Sequence, residues 1–282
     1  MNKDLLEQHA KSFYWASFFL SKDVYSKCSF LYNFCRTLDD IVDDACNLEI
    51  KKKRFLEFKE DFTKKNFKNL IIKNMWDVLQ SEKISTNIVY DLFDGVESDL
   101  KNEVKIKTKK NLLVYSYRVA GTVGLMMSKI LKVKNKESLK GAIDLGIAMQ
   151  LTNISRDVME DKKRNREYIN YDFSTIKQTV NTANFFYQKS FCAMKAIPLR
   201  SRFAVIVARR VYRKIGDYVL KQKNIEEYSN AGKIFVPTIW KIIETVLSIW
   251  DFFKLLFIRN IEYSNEDNHS IIKEEINLDE RI

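Results

Sequence analysis

The sequence predicts a single all-α domain built as a bundle of about ten helices. Three observations carry this. Only 7 Gly and 2 Pro occur in 282 residues, whereas strand-rich folds use these residues for the turns that recur along the chain. The two prolines, Pro198 and Pro237, leave almost all of the chain free to be helical. A hydrophobic content of 46% with 30% charged residues suits a chain that buries a core. No repeat of solenoid period and no Gly/Ser- or Pro-rich linker divides it. One domain is therefore expected over 1–260, followed by a polar, acidic and flexible tail over 261–282.

Apolar periodicity and the polar clusters between apolar stretches predict helices over 4–20, 23–46, 50–65, 68–81, 84–102, 109–132, 135–164, 172–196, 198–223 and 236–259. Two of them carry more than core packing requires. In residues 29–46, Tyr32, Arg36, Asp39 and Asp43 fall within about 60° on a helical wheel. Asp39 and Asp43 are i,i+4 neighbours of like charge, an arrangement that destabilises an isolated helix. Asp is also a poor interior helix residue. In residues 141–162, Ile143, Ile147, Leu151, Ile154 and Val158 form a core stripe. Beside it runs a second stripe of Gln150, Asn153, Asp157 and Asp161, with Arg156 adjacent. A polar stripe next to a core stripe predicts a helix that lines a cavity. Two D-x-x-x-D pairs on facing helices could hold Mg²⁺ around a diphosphate, because Mg²⁺ takes one or two carboxylates plus water and phosphate oxygens. Two solvated acidic faces are the alternative.

Composition excludes several classes. Asp4 and Glu7 interrupt any secretory signal. No 18-residue apolar stretch exists, so no membrane span is expected. Four cysteines without a C-x-x-C pair and two histidines, His9 and His269, make a zinc site improbable and suit a reducing cytosol. Net charge is +11. From Glu262 onward seven acids oppose two bases, a net of −5, so the remainder carries +16 (11 plus 5). No zinc finger, RNP-like motif or helix-turn-helix accompanies this charge, so no nucleic-acid partner is expected. A Lys-rich solvated surface, anionic lipid or diphosphate are the readings left open.

The segment Phe34-Cys-Arg-Thr-Leu-Asp-Asp-Ile-Val-Asp-Asp44 resembles the first aspartate-rich motif of the squalene/phytoene synthase family, and Gln150-Leu-Thr-Asn-Ile-Ser-Arg-Asp-Val-Met-Glu-Asp161 resembles the second. His9-Ala-Lys-Ser-Phe13 is similar to the family's N-terminal substrate motif. Tyr117-Arg-Val-Ala-Gly-Thr-Val-Gly-Leu-Met-Met127, Ile197-Pro-Leu-Arg-Ser201 and Val211-Tyr-Arg-Lys-Ile-Gly216 resemble bacterial phytoene synthases in particular. The resemblance spans about His9 to Lys241. One departure stands out. After the second motif the family has Gly-Arg-x-Tyr-Leu-Pro, and here Asn165-Arg-Glu-Tyr-Ile-Asn170 takes its place, so the Arg and Tyr are kept while the Gly and Pro are not.

The resemblance implies an all-α fold of isoprenoid synthase type around a central cavity. It implies head-to-head condensation of two geranylgeranyl diphosphates to phytoene, through a cyclopropyl diphosphate, in carotenoid biosynthesis. Mg²⁺ or Mn²⁺ is expected and no redox cofactor. It carries over Asp39, Asp43, Asp157 and Asp161, with Asn153, as metal-holding residues. Arg36 and Tyr117 join the four aspartates as catalytic residues. Substrate contacts carry over to His9, Lys11, Ser12, Phe13, Tyr32, Arg36, Gly121, Gln150, Asn153, Arg156, Arg166, Tyr168 and Tyr212. Tight helix packing is an equal reading for Gly121. Squalene or dehydrosqualene synthesis from farnesyl diphosphate is the alternative activity. A non-catalytic, membrane-associated assembly factor is the reading from a different class. Cysteine usage and the basic body add an expected location that is cytoplasmic, with peripheral contact to an anionic membrane surface. The last helix, 236–259, is expected to be buried, with bilayer docking of Trp240, Trp250, Phe252, Phe253 and Phe257 as the alternative.

Overall fold

The structure is a computed structural model that describes residues 11–259, 261 and 263–282; the side chains of residues 11–13 are outside this description. The described residues form helices α1 (Lys11–Ser17), α2 (Lys22–Asp43), α3 (Leu48–Thr63), α4 (Leu70–Ser81), α5 (Thr86–Glu97), α6 (Lys109–Ser116), α7 (Thr122–Ile130) and α8 (Lys136–Lys163). These are followed by α9 (Phe173–Lys189), α10 (Leu199–Leu220), α11 (Ile225–Asn230), α12 (Thr238–Phe257), α13 (Glu266–Lys273) and α14 (Leu278–Arg281). A π-helical segment, Tyr117–Gly121, joins α6 to α7 where one continuous helix was expected. The all-α expectation holds. Short polar side chains start many helices: Asn47, Asn69, Ser85, Thr108, Asn135, Asp172 and Asn224 each accept a hydrogen bond from a first-turn amide.

Helix α8 is the central column and packs against α7, α9, α10 and the π segment. Its predicted stripe is buried throughout: Ile143, Ile147 and Leu151 are fully enclosed, and Ile154 and Val158 nearly so. Gly146 of this helix lies against the Ala120 carbonyl, and Gly124 of α7 lies against the Ala142 carbonyl. A Cβ at either glycine would sit under 2.5 Å from that oxygen. Glycine is thus required for close helix contact. On the other side of the molecule α2 packs on α3, α4, α5 and α7 around an aromatic cluster of Phe34, Phe55, Phe58, Phe62 and Phe93.

Two differences from expectation concern the end of the chain. Residues 263–282 pack onto the body, with Ile272 and Leu278 fully buried. Buried His269 lies 2.9 Å from the Asp144 carboxylate, and Arg281 reaches Asp91 at 2.8 Å. Helix α12 is not a buried final helix. Its buried face holds the polar residues Glu244, Ser248 and Asp251, while Trp250, Phe253 and Phe257 are exposed.

Candidate active site

The sequence places two carboxylates one turn apart on α2 and two on α8, and the fold points both pairs at one polar centre. The loop after α8 ties them together. Arg164 contacts Asp43 at 2.9 Å and Arg166 contacts it at 2.8 Å. Arg166 also donates to the Val42 carbonyl at 3.3 Å. This loop is held by a two-residue parallel bridge in which Val104 faces Arg166 and Lys105 faces Glu167.

The Asn165 departure now has a physical account. Asn165 has φ of 57°, the left-handed region that favours glycine. Asn is among the few other residues that enter it readily. The conformation a Gly would supply is therefore kept, and Arg166 and Tyr168 reach the site.

A fifth carboxylate, Asp99, lies just past α5. It accepts hydrogen bonds from Tyr115 at 2.8 Å and Tyr168 at 2.9 Å. The two tyrosine rings stack with centroids 4.7 Å apart. Asp99 acts electrostatically on Asp39, Asp43 and Asp161. Enclosure by protein, and then the Asp43 carboxylate, raise the Asp39 pKa to about 7. Water still reaches Asp39, as it does a group lining a cleft. Burial, and then Asp157, raise the Asp161 pKa to about 7. Burial is the main cause that raises Asp99, with Arg166 opposing it. Like charges crowded together disfavour their own ionisation. Asp161 and Arg166 also line a cleft with Ile154, Val158, Tyr168 and Tyr171.

The remaining stripe residues form a chain of contacts. Arg156 pairs with Asp157 through two nitrogens, Nε at 2.7 Å. Tyr212 of α10 donates to Asn153 at 2.8 Å, and Asn153 donates to Gln150 at 3.4 Å. Tyr32 of α2 is half-buried and lies within electrostatic range of Arg36, Asp39 and Tyr212; burial pushes its pKa up to about 12. Arg36 pairs with Asp40 at 2.6 Å and keeps a buried Nε without a partner.

Some predicted residues are not brought to this centre. The Tyr117 hydroxyl donates to Asp91 at 3.0 Å, and the ring is fully buried. Tyr115, two residues earlier, is the one that reaches the carboxylates, through Asp99. Neither Tyr115 nor Asp99 was picked out from sequence. Gly121 is buried, and a Cβ there would meet Tyr117 at 3.0 Å and Ile143 at 3.3 Å, which is the packing role. His9 lies outside the described residues, as do the side chains of Lys11, Ser12 and Phe13.

A sequence model of the squalene/phytoene synthase family matches residues 6–174, which include both aspartate pairs. The chain belongs to the squalene/phytoene synthase family. It is 29% identical to a 15-cis-phytoene synthase of Enterobacter agglomerans, over 77% of this chain and 84% of that protein. To a 15-cis-phytoene synthase of Pantoea ananas it is 28% identical, over 77% and 83%. Among solved structures, a dehydrosqualene synthase superposes with a TM-score of 0.73 at 25% identity, over 89% of this chain and 94% of that one. A squalene synthase of Alicyclobacillus acidocaldarius shares the fold, with a TM-score of 0.66 at 15% identity, over 77% and 91%. Family membership makes the chain a prenyltransferase of the phytoene synthase type.

Proposed function

We propose that this enzyme joins two geranylgeranyl diphosphates head to head to give phytoene for carotenoid biosynthesis. The observation that carries the reading is that Arg164 and Arg166 pair with Asp43 of α2 and also act electrostatically on Asp161 of α8. The relatives named 15-cis-phytoene synthase support the substrate length.

The residues suit a divalent cation. Among the described residues no three acidic, His or Cys side chains form a ready cage for one ion. Mg²⁺ and Mn²⁺ bind through few carboxylates and complete their shell with water and substrate phosphate. The upward shifts of Asp39 and Asp161 mark crowded negative charge that a cation would relieve. Asp39, Asp43, Asp157 and Asp161, with Asn153, would hold it, and a bound ion supplies charge that stabilises the departing diphosphate.

Around that point the chain supplies the rest. Arg36, Arg156, Arg164 and Arg166 add fixed positive charge for the diphosphate oxygens. Loss of diphosphate leaves an allylic cation. The double bond of the second substrate attacks it, closes a cyclopropane and releases a proton. A second ionisation, rearrangement and proton loss give the hydrocarbon. Such cations react with water, so apolar walls matter. Tyr32 and Tyr212 offer aromatic faces that stabilise positive charge without adding to it. No redox cofactor enters this sequence. Peripheral contact with an anionic membrane surface from the cytoplasmic side completes the reading.

Dehydrosqualene or squalene formation from farnesyl diphosphate is the second reading, favoured by the structural match to a dehydrosqualene synthase. Purified protein incubated with Mg²⁺ and either diphosphate, with and without NADPH, separates them. A C40 hydrocarbon from the C20 substrate, independent of NADPH, is expected. A C30 product alone would reject the proposal. Asp39→Asn and Asp157→Asn should each lower turnover by about two orders of magnitude or more with the melting temperature kept. Full activity in both would remove these residues from the metal-holding role.

A further inference from the structure

Helix α12 is mounted with its polar side inward. Its two carboxylates, Glu244 and Asp251, are 6% and 7% exposed. Arg210 of α10 bridges them, with Nε 2.8 Å from Glu244 and Nη1 2.8 Å from Asp251. Lys214 lies 3.6 Å from Glu244 and Arg209 lies 3.9 Å from Asp251. Trp15 of α1 adds a hydrogen bond to Thr245 at 2.9 Å. These contacts fix the rotation of the helix about its axis.

The opposite face is thereby turned outward. Ile242, Val246, Trp250, Phe253 and Phe257 follow one another at spacings of four, four, three and four, so they share that face. Trp250 is 65% and Phe257 83% exposed. Nine of the twenty residues of α12 are exposed large hydrophobics. The end of α1 extends the apolar surface: Phe19 meets Phe203 edge-on at 4.9 Å, and Phe203 meets Phe252 at 6.2 Å. A contiguous patch of this kind marks a protein or lipid contact.

Charge decides the occupant. Because Glu244 and Asp251 point inward, the exposed face of α12 holds no carboxylate. Its charge is Lys254, followed by exposed Arg259, with exposed Arg200 at the start of α10. A second copy of the chain would set lysine and arginine against lysine and arginine with no acid on the face to pair them. An anionic bilayer offers hydrocarbon for the aromatic residues and phosphate for the cations. No helix among the described residues is long and apolar enough to cross a membrane.

We propose that α12 is a docking face that lies flat in the interface of an anionic membrane. The proposal deepens the reading above and rests on it only for its purpose, since a C40 hydrocarbon needs lipid to enter. The test is co-sedimentation of the full chain with phosphatidylcholine vesicles, with and without phosphatidylglycerol. Binding is expected to need phosphatidylglycerol and to weaken at high salt. Trp250→Asp with Phe253→Asp should weaken it by roughly tenfold or more. Lys254→Glu provides a milder variant that keeps the apolar surface, and it should weaken binding as well. Circular dichroism melts check that each variant folds. Absence of pelleting with either vesicle would overturn the proposal, as would equal pelleting of all variants. A dimer that the double variant dissociates, without vesicle binding by the parent, would assign the face to a second copy and overturn it too. Diphosphate release from geranylgeranyl diphosphate in detergent micelles separates the two readings. Protein that pellets but releases no diphosphate keeps the docking face and rejects the activity.

Discussion

Asp99 sits where two tyrosine hydroxyls and three other carboxylates meet, so a change of charge there should act on the site without breaking the fold. Asp99→Asn keeps an acceptor for Tyr115 or Tyr168 and should change stability by about 1 kcal/mol or less. It should lower kcat/KM by about tenfold or more, as loss of a supporting carboxylate does near a metal. Steady-state kinetics beside a urea melt checks both. The aspartate pairs were legible because i,i+4 spacing is a local signal. Asp99 was not, because it reaches the centre through tertiary contact from beyond the end of α5. Tyr115 and Tyr117 lie two apart and so point to nearly opposite sides of a helix. The resemblance put Tyr117 at the site, and the fold turns Tyr115 to the carboxylates instead, through Asp99, while Tyr117 bonds Asp91. Asn165 is a second test at this scale. With φ at 57°, Asn165→Gly should keep activity, whereas Asn165→Val should cost about 1–2 kcal/mol and displace Arg166. Thermal melts and kcat of the two variants separate conformation from side-chain chemistry.

Most helices were legible at the element scale because their starts carry cap residues, such as Asn47, Thr108 and Asp172, and their faces carry period-3.6 stripes. The π segment was not, since Tyr117–Gly121 has only one weak helix former, Gly121, and its extra residue per turn leaves no compositional trace. The orientation of α12 was also hidden. It is apolar nearly all round, and only the partners of Glu244 and Asp251 on α10 decide which side faces in. Helices α13 and α14 are short and polar, and their docking depends on two distant anchors, Asp144 for His269 and Asp91 for Arg281. Asp91 is 6% exposed and also accepts from Tyr117. Arg281→Ala would leave that buried carboxylate without its cation and should cost about 3 kcal/mol in urea unfolding. Because Asp91 also holds Tyr117, next to the π segment, the loss should spread into α6 and α7. Amide exchange of those helices should therefore rise in the variant. Exchange confined to 263–282 would show that the anchor serves the C-terminal helices alone.

The whole molecule sets the carboxylates of α2, α8 and Asp99 in one electrostatically linked region inside a body with a net charge near +16 outside its C-terminal segment (11 plus 5). This arrangement sets the direction of its pH response. Asp39 and Asp161 have native pKa values of about 7 against an ordinary 3.8. Over that interval the native state binds more protons than the unfolded chain, so stability falls as pH rises from about 4 to about 7. The shift comes from enclosure and crowded negative charge, and a divalent cation offsets the crowded charge. Mg²⁺ with inorganic pyrophosphate should therefore stabilise the protein by binding the native state. It should do so more at pH 8 than at pH 5, where protons compete for the same oxygens. Melting temperatures measured at both pH values, with and without magnesium pyrophosphate, give four numbers whose order is fixed by this account. The metal-free protein melts lower at pH 8 than at pH 5, and the increment on adding magnesium pyrophosphate is larger at pH 8. Asp39→Asn combined with Asp161→Asn removes both titrating groups, so the pH dependence should flatten and the increment should shrink together. A melting temperature that rises with pH in the metal-free protein, or an increment the double variant keeps in full, would place the response elsewhere than in the carboxylates of α2 and α8.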